Sequence, residues 1–157
     1  MKEASNLPVR LASRADLDAL ADLWVASWQA VMPKIDFTAR RSWFLAHVRD
    51  MEAQGAATIC AFAGDALLGF MLLDRERRFL EQIAVRPDRF GTGVGALLLE
   101  EAKRLCPAGL ALEVNVDNSR ALRFYEKSGF EPVEAGVNPN SGLKTWRVRW
   151  LSVGRSP

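Results

Sequence analysis

The sequence predicts an α+β fold in which two helices precede a sheet and two more helices are interleaved with its later strands. Three observations predict it. Apolar residues recur at helical spacing up to about residue 51 and at strand spacing after residue 56. A Gly-Asp turn joins the first two strand-like runs. A glycine-rich segment then opens a helix between two further strands.

The elements follow in order. Val9 to Ala12 form a short strand. Ser13-Arg14-Ala15-Asp16 has the S-x-x-D form of a capping box ahead of an apolar run. Leu17, Leu20, Trp24, Trp28 and Val31 form one stripe of an amphipathic helix, which Pro33 ends. Thr38 to Met51 form a second helix, with Trp43, Phe44, Ala46 and Val48 among its apolar positions, and Gly55 closes it. Trp24, Trp28 and Trp43 are expected mainly in the core.

Ala57–Ala63 and Leu67–Leu73 read as a hairpin around Gly64-Asp65. The charged run Asp74 to Arg78 turns into a third strand, Phe79–Val85, which Pro87 ends. A helix follows with the stripe Val94, Leu98, Ala102 and Leu105, stopped by Pro107 and Gly109. Leu110 to Val116 is a strand. Asp117-Asn118-Ser119 offers N-cap residues for a short helix through Lys127. Gly129 sits where a left-handed C-terminal cap belongs, with Phe130 folding back. Glu131–Ala135 and Thr145–Leu151 are the last strands, and Trp146 and Trp150 are expected to pack on one face. Met1–Leu7 and Val153–Pro157 read as loose ends, so one domain spans 1–157 with its core at about 8–152.

Composition narrows the function. Lys+Arg is 21 and Asp+Glu is 19, a net +2 over 157 residues. Duplex binding by bulk charge is therefore not expected. No apolar run is long enough to span a bilayer, and Met1–Pro8 lacks a signal-like apolar stretch. Cys60 and Cys106 lie singly in apolar surroundings, which points to a reducing, cytoplasmic compartment. One histidine, His47, and two distant cysteines do not make a structural metal site, so no metal is expected. His47 itself reads as a surface or groove residue.

The segment Gly91-Thr92-Gly93-Val94-Gly95-Ala96 carries the chemistry. Closely spaced glycines let a ligand approach the backbone, and the helix they open presents unpaired N–H groups at its positive end. Together these form a phosphate cradle. No Lys-Ser/Thr follows, which excludes a P-loop. Gly91-x-Gly93-x-x-Ala96, with Glu113 about 20 residues on, also matches a dinucleotide fingerprint, but Pro87-Asp88-Arg89 separates the strand from its first glycine.

Two segments resemble the GCN5-related N-acetyltransferase (GNAT) family. One is Val85-Arg86-Pro87 with Phe90-Gly91-Thr92-Gly93-Val94-Gly95; Phe90 stands where the family pattern has Gln or Arg. The other is Asn118-x-x-Ala121-x-x-Phe124-Tyr125 followed by Gly129-Phe130. The resemblance covers nearly the whole chain. It implies a three-layer α/β sandwich whose mixed, mostly antiparallel sheet contains a splayed parallel strand pair, Phe79–Val85 and Leu110–Val116. It implies acetyl-CoA as co-substrate, in an acetyl transfer to a primary amine by direct attack in a ternary complex. Main-chain groups of Ile83, Ala84 and Val85 would pair with pantetheine, residues Phe90 to Ala96 would hold the pyrophosphate, and Asn118, Ala121 and Phe124 would line the other side.

The chemistry needs a base for the amine and an acid for the departing thiolate. Glu81 is the candidate base; strand alternation puts it on the side of Phe79, Ile83 and Val85, where apolar neighbours would raise its pKa. A solvated residue near the strand start is its plainer reading. Tyr125, the only tyrosine, matches the family's thiolate-facing position; a core aromatic is the plainer reading. An oxyanion would be held by a backbone N–H near Val85. Trp28 and Asn115 are weaker substrate-binding candidates. The segments Trp28–Phe37 and Glu134–Leu143 would frame the substrate groove. The partner is then a small-molecule or protein amine. A homodimer stays open, as does a non-catalytic acyl-CoA-binding or regulatory module on the same fold.

Overall fold

The computed structural model describes residues 7–152. Seven strands form one sheet in the order β1-β2-β3-β4-β5-β7-β6. They are β1 (Val9–Leu11), β2 (Ala57–Ala63), β3 (Ala66–Asp74), β4 (Phe79–Val85), β5 (Leu110–Asn115), β6 (Glu131–Val137) and β7 (Lys144–Trp150). Only β4 and β5 run parallel; every other neighbouring pair is antiparallel. Helices α1 (Leu17–Val31) and α2 (Arg41–Ala53) cover one face, and α3 (Val94–Leu105) and α4 (Ser119–Lys127) the other. The predicted three-layer α+β fold with its one parallel pair is the fold observed.

Two apolar clusters hold the layers. Leu20, Trp24, Phe44 and Val48 pack onto Phe70, Leu72 and Ala84 of the sheet. On the opposite face Val94, Leu98, Leu99 and Ala102 pack onto Leu68, Met71 and Leu80, with Tyr125 and Phe130 closing the far end. Each Leu buried in this way contributes roughly 1.5–3 kcal/mol. Gly69 sets how closely α3 lies on the sheet: a Cβ there would sit 2.9 Å from Val94 Cγ1 and 3.0 Å from the Ala84 carbonyl oxygen.

The local signals act as read. The Asp16 carboxylate accepts hydrogen bonds from Ser13 N–H (2.7 Å) and Arg10 (2.9 Å), which fixes the entry to α1. Asn118 caps α4 by accepting the Ala121 N–H at 3.1 Å. Gly129 takes φ +92°, and Phe130 N–H returns to the Tyr125 carbonyl at 3.0 Å.

Four expected core positions lie outside. Val31 is 37% exposed where the C-terminal end of α1 lines a cleft, and Ala46 is exposed on α2. Trp43 is 39% exposed, its ring lying on His47 at 4.9 Å instead of entering the core. Trp146 of β7 is 36% exposed. The predicted loose ends fall outside the described residues, apart from Leu7.

Candidate active site

The site begins where the sheet opens. β4 and β5 pair only through Phe79↔Ala111 and Leu80↔Leu112. Beyond these, β4 follows β3 as far as Gly69↔Val85, and β5 follows β7 as far as Asn115↔Thr145. The edges that face each other, Ile83–Val85 on one side and Glu113–Asn115 on the other, have no strand partner among the described residues. Unpaired main-chain groups of this kind accept an extended ligand as an added strand.

A β-bulge shapes the opening. Leu73 pairs with Leu80 and Leu72 with Gln82, so Glu81 is the extra residue in β4. This corrects the predicted orientation of Glu81. Ile83 and Val85 pack toward the α3 cluster, whereas the Glu81 carboxylate faces α2, with Oε1 3.8 Å from His47 Nε2. Gln82 turns the same way and accepts a hydrogen bond from Trp24 Nε1 at 3.2 Å. Period-2 alternation fails here because a bulge puts two successive residues on one face. The expected pKa direction holds. Burial pushes the Glu81 carboxyl above its ordinary value, against the partial opposition of His47.

The glycine loop lies at the end of β4. Gly91 (φ +76°) and Gly93 (φ +99°) take left-handed conformations, and Gly93 is the N-cap of α3. The first helical bond runs from Leu97 N–H to the Gly93 carbonyl at 2.9 Å. The N–H groups of Val94, Gly95 and Ala96 therefore have no helical partner and point outward at the positive helix end. Two of the expected donors are already used: Phe90 N–H bonds to the Pro87 carbonyl and Thr92 N–H to that of Arg89, each at 3.2 Å. The Thr92 hydroxyl also donates to Arg89 O, at 2.7 Å. These bonds hold the loop's shape, and the Ala84 side chain lies in the α1–α2 core.

Helix α4 closes the other side. A Cβ on Gly95 would lie 3.4 Å from Phe124 Cζ and 3.8 Å from Val85 Cγ2, so these three predicted residues meet. Phe90, Gly91 and Asn118 line a cleft of about 530 Å³ with Ala30, Val31 and Arg120. Tyr125 is buried, flanked edge-on by Phe124 (5.1 Å) and Phe130 (5.7 Å). Burial pushes its phenol pKa up. Tyr125 lies on the α3–α4 face of the opened sheet and Glu81 on the α1–α2 face. Asn115 ends β5 beneath the α1–α2 connection, with Nδ2 3.8 Å from Met32 Sδ. Trp28 is half-buried, stacked on Phe37 at 6.1 Å.

Sequence reading missed two neighbours of this site. Arg120 places its guanidinium 4.3 Å over the Phe90 ring, at the position where the family pattern would have a polar side chain. Its only sequence signal was a cation in the first turn of a helix, where the dipole disfavours it. The sequence marks His47 as a surface or groove residue but gives no sign of its partner Glu81, since 34 residues separate them. Glu113, the ribose-acid candidate of the dinucleotide reading, is bound instead to Arg147 across β5 and β7 at 3.2 Å. With a single parallel strand pair, that reading does not hold.

A sheet opened between two parallel strands, beside a glycine-rich helix start, is the architecture of an acyltransferase fold. The family model for Acetyltransferase (GNAT) family matches residues 17–130, and the chain belongs to this family. It is 31% identical to the peptidyl-lysine N-acetyltransferase YiaC of Escherichia coli K12, over 90% of this chain and 95% of that protein. Over 43% of its length it is 42% identical to the peptidyl-lysine N-acetyltransferase YjaB of Salmonella typhimurium, covering 44% of that protein. Among solved structures, apo YjaB from Escherichia coli superposes with a TM-score of 0.75 at 25% identity, over 93% of this chain and 98% of that one. The PaiA N-acetyltransferase from Thermoplasma acidophilum, solved with coenzyme A, gives 0.76 at 20% identity, over 93% and 99%. By family and by the named activity of the relative matched along its length, the chain is an N-acetyltransferase. No helix among the described residues is long and apolar enough to cross a membrane.

Proposed function

We propose that this protein transfers the acetyl group of acetyl-CoA to the side-chain amine of a protein lysine, by direct attack within a ternary complex. The observation that carries the reading is the opened β4–β5 pair, with the glycine loop at its end and Glu81 and Tyr125 on its two faces. The residues fit the co-substrate. The free edge of β4 at Ile83–Val85 suits the pantetheine amides, and the N–H groups of Gly93 to Ala96 suit the pyrophosphate. The lysine acceptor is supported by the peptidyl-lysine activity for which the relative matching along 90% of the chain is named.

A lysine arrives as an ammonium, with a reference pKa of about 10.4. Glu81 takes one proton from it, and its raised pKa makes it a better base than an ordinary carboxylate. The neutral nitrogen attacks the thioester carbonyl carbon, and a backbone N–H near Val85 stabilises the oxyanion. As the C–S bond breaks, the sulfur takes the phenolic proton of Tyr125. Burial disfavours the phenolate, so the transfer to sulfur is completed only as Tyr125 regains a proton from the nitrogen. The phenol is restored by the second proton lost from nitrogen, and one proton is released overall. Buried free thiols at Cys60 and Cys106 fit a reducing cytoplasm.

Free-thiol release from acetyl-CoA across an amine panel tests this. Lysine-containing peptides should support turnover, and the same peptides acetylated on the lysine amine should not. Turnover on small amines alone would refute the protein-lysine reading. Tight acetyl-CoA binding without turnover on any amine would refute the catalytic one.

A further inference from the structure

His47 is the only histidine in the chain, and the reaction as derived above does not use it. Three observations set it apart from a chance surface residue. Its imidazole lies flat on Trp43, with centroids 4.9 Å apart and planes at 10°. Trp43 is itself backed by Trp24 at 6.0 Å, so the imidazole has a fixed support. Nε2 stands 3.8 Å from Glu81 Oε1, and both side chains are about a quarter exposed or less, at 21% and 26%. The bulge brings them together: without the extra residue in β4, alternation would turn Glu81 away from α2.

We propose that His47 is a positioning residue for Glu81, clamped by Trp43 and holding the carboxylate on the groove side of the β4 bulge. The inference rests on the reading of Glu81 as the base. The separation is within ion-pair range but too long for a hydrogen bond, so the contact is electrostatic and strengthens when the imidazole is protonated. The surroundings of Glu81 make that charge count. Asp74 at the end of β3 and Glu113 on β5 oppose its ionisation, as burial does more strongly; His47 on α2 and Arg77 in the β3–β4 turn favour it. Glu113 is engaged by Arg147, and Arg77 by Asp74. When protonated, His47 is thus the main cation that favours the ionised form of Glu81.

The test is the pH dependence of kcat/KM and kcat for the wild type, His47→Gln, His47→Arg and Glu81→Gln. In His47→Gln the acid limb should move up by about half to one pH unit, with kcat reduced and KM for acetyl-CoA unchanged. His47→Arg restores a cation of similar reach and should return the limb to the wild-type position or below it. If His47→Gln superimposes on the wild type, the inference fails. It also fails if Gln and Arg lower kcat equally with no shift of the limb, since that marks a purely structural role. Glu81→Gln separates this from failure of the underlying reading. If Glu81→Gln keeps both activity and the acid limb, Glu81 is not the base. If it loses them while His47→Gln is silent, the base stands and only the role of His47 is refuted.

Discussion

Gly69→Ala should loosen the contact on which the cofactor loop depends. The new Cβ would lie 2.9 Å from Val94 Cγ1, 3.0 Å from the Ala84 carbonyl oxygen and 3.2 Å from Leu98 Cδ1. Two of these neighbours are side chains on α3, but the third is β4 backbone held in the ladder by the Phe70↔Ala84 pairing, so the sheet side cannot give. The clash with the two side chains is relieved only if the helix moves, by a few tenths of an ångström, while the contact with the Ala84 oxygen stays tight. Overpacking of this kind costs about 1–3 kcal/mol. For a domain of this size that is a fall in Tm of roughly 2–4 °C per kcal/mol, or about 4–8 °C at the middle of the range. Val94 is the first residue of α3, next to the N-cap Gly93, so displacing it also displaces the N–H donors of the loop. Thermal unfolding should therefore show the lowered Tm, and steady-state kinetics a raised KM for acetyl-CoA with kcat less affected. An unchanged Tm together with an unchanged KM would refute the reasoning, because it would mean that α3 does not rest on the backbone at Gly69.

Three further outcomes are expected. Tyr125→Phe should lower kcat on the order of 10²-fold with little change in KM, because only the phenolic proton is removed; equal turnover would return Tyr125 to a packing role beside Phe124 and Phe130. Arg120 lines the cleft beside Phe90 and Gly91, where its cation would meet a cofactor phosphate; Arg120→Gln should therefore raise KM for acetyl-CoA about tenfold, the scale of one hydrogen bond to a charged group, and leave an acetyl thioester without phosphates unaffected, whereas an equal loss on both co-substrates would contradict that contact. Asp16→Asn should destabilise the fold at pH 7 but not near pH 2. Arg10 and the Ser13 N–H hold the Asp16 carboxyl down to about 2, so its stabilising effect is present above the ordinary value of 3.8 and lost as pH falls from there through about 2. A difference in Tm between wild type and variant that stays constant with pH would show that the charge is not what matters.

Local sequence determined most of the elements of this protein and the kind of site it carries. The caps at Asp16 and Asn118, the left-handed Gly129, and the glycines that open α3 each act through bonds spanning a few residues, so their effect can be read from adjacent letters. The two motifs also supply residues that meet in the fold, since Gly95 of the loop lies against Phe124 of α4 and Val85 of β4. Tertiary structure alone decided what depends on the register between distant segments. The bulge that turns Glu81 toward α2 arises from how Leu72 and Leu73 pair with β4, and nothing within Phe79–Val85 signals it. The meeting of His47 with Glu81, and of Arg120 with Phe90, joins residues 34 and 30 positions apart. The exposure of Trp43 and Trp146 likewise follows from which neighbour covers each face, a property of the packed layers and not of either strand or helix alone.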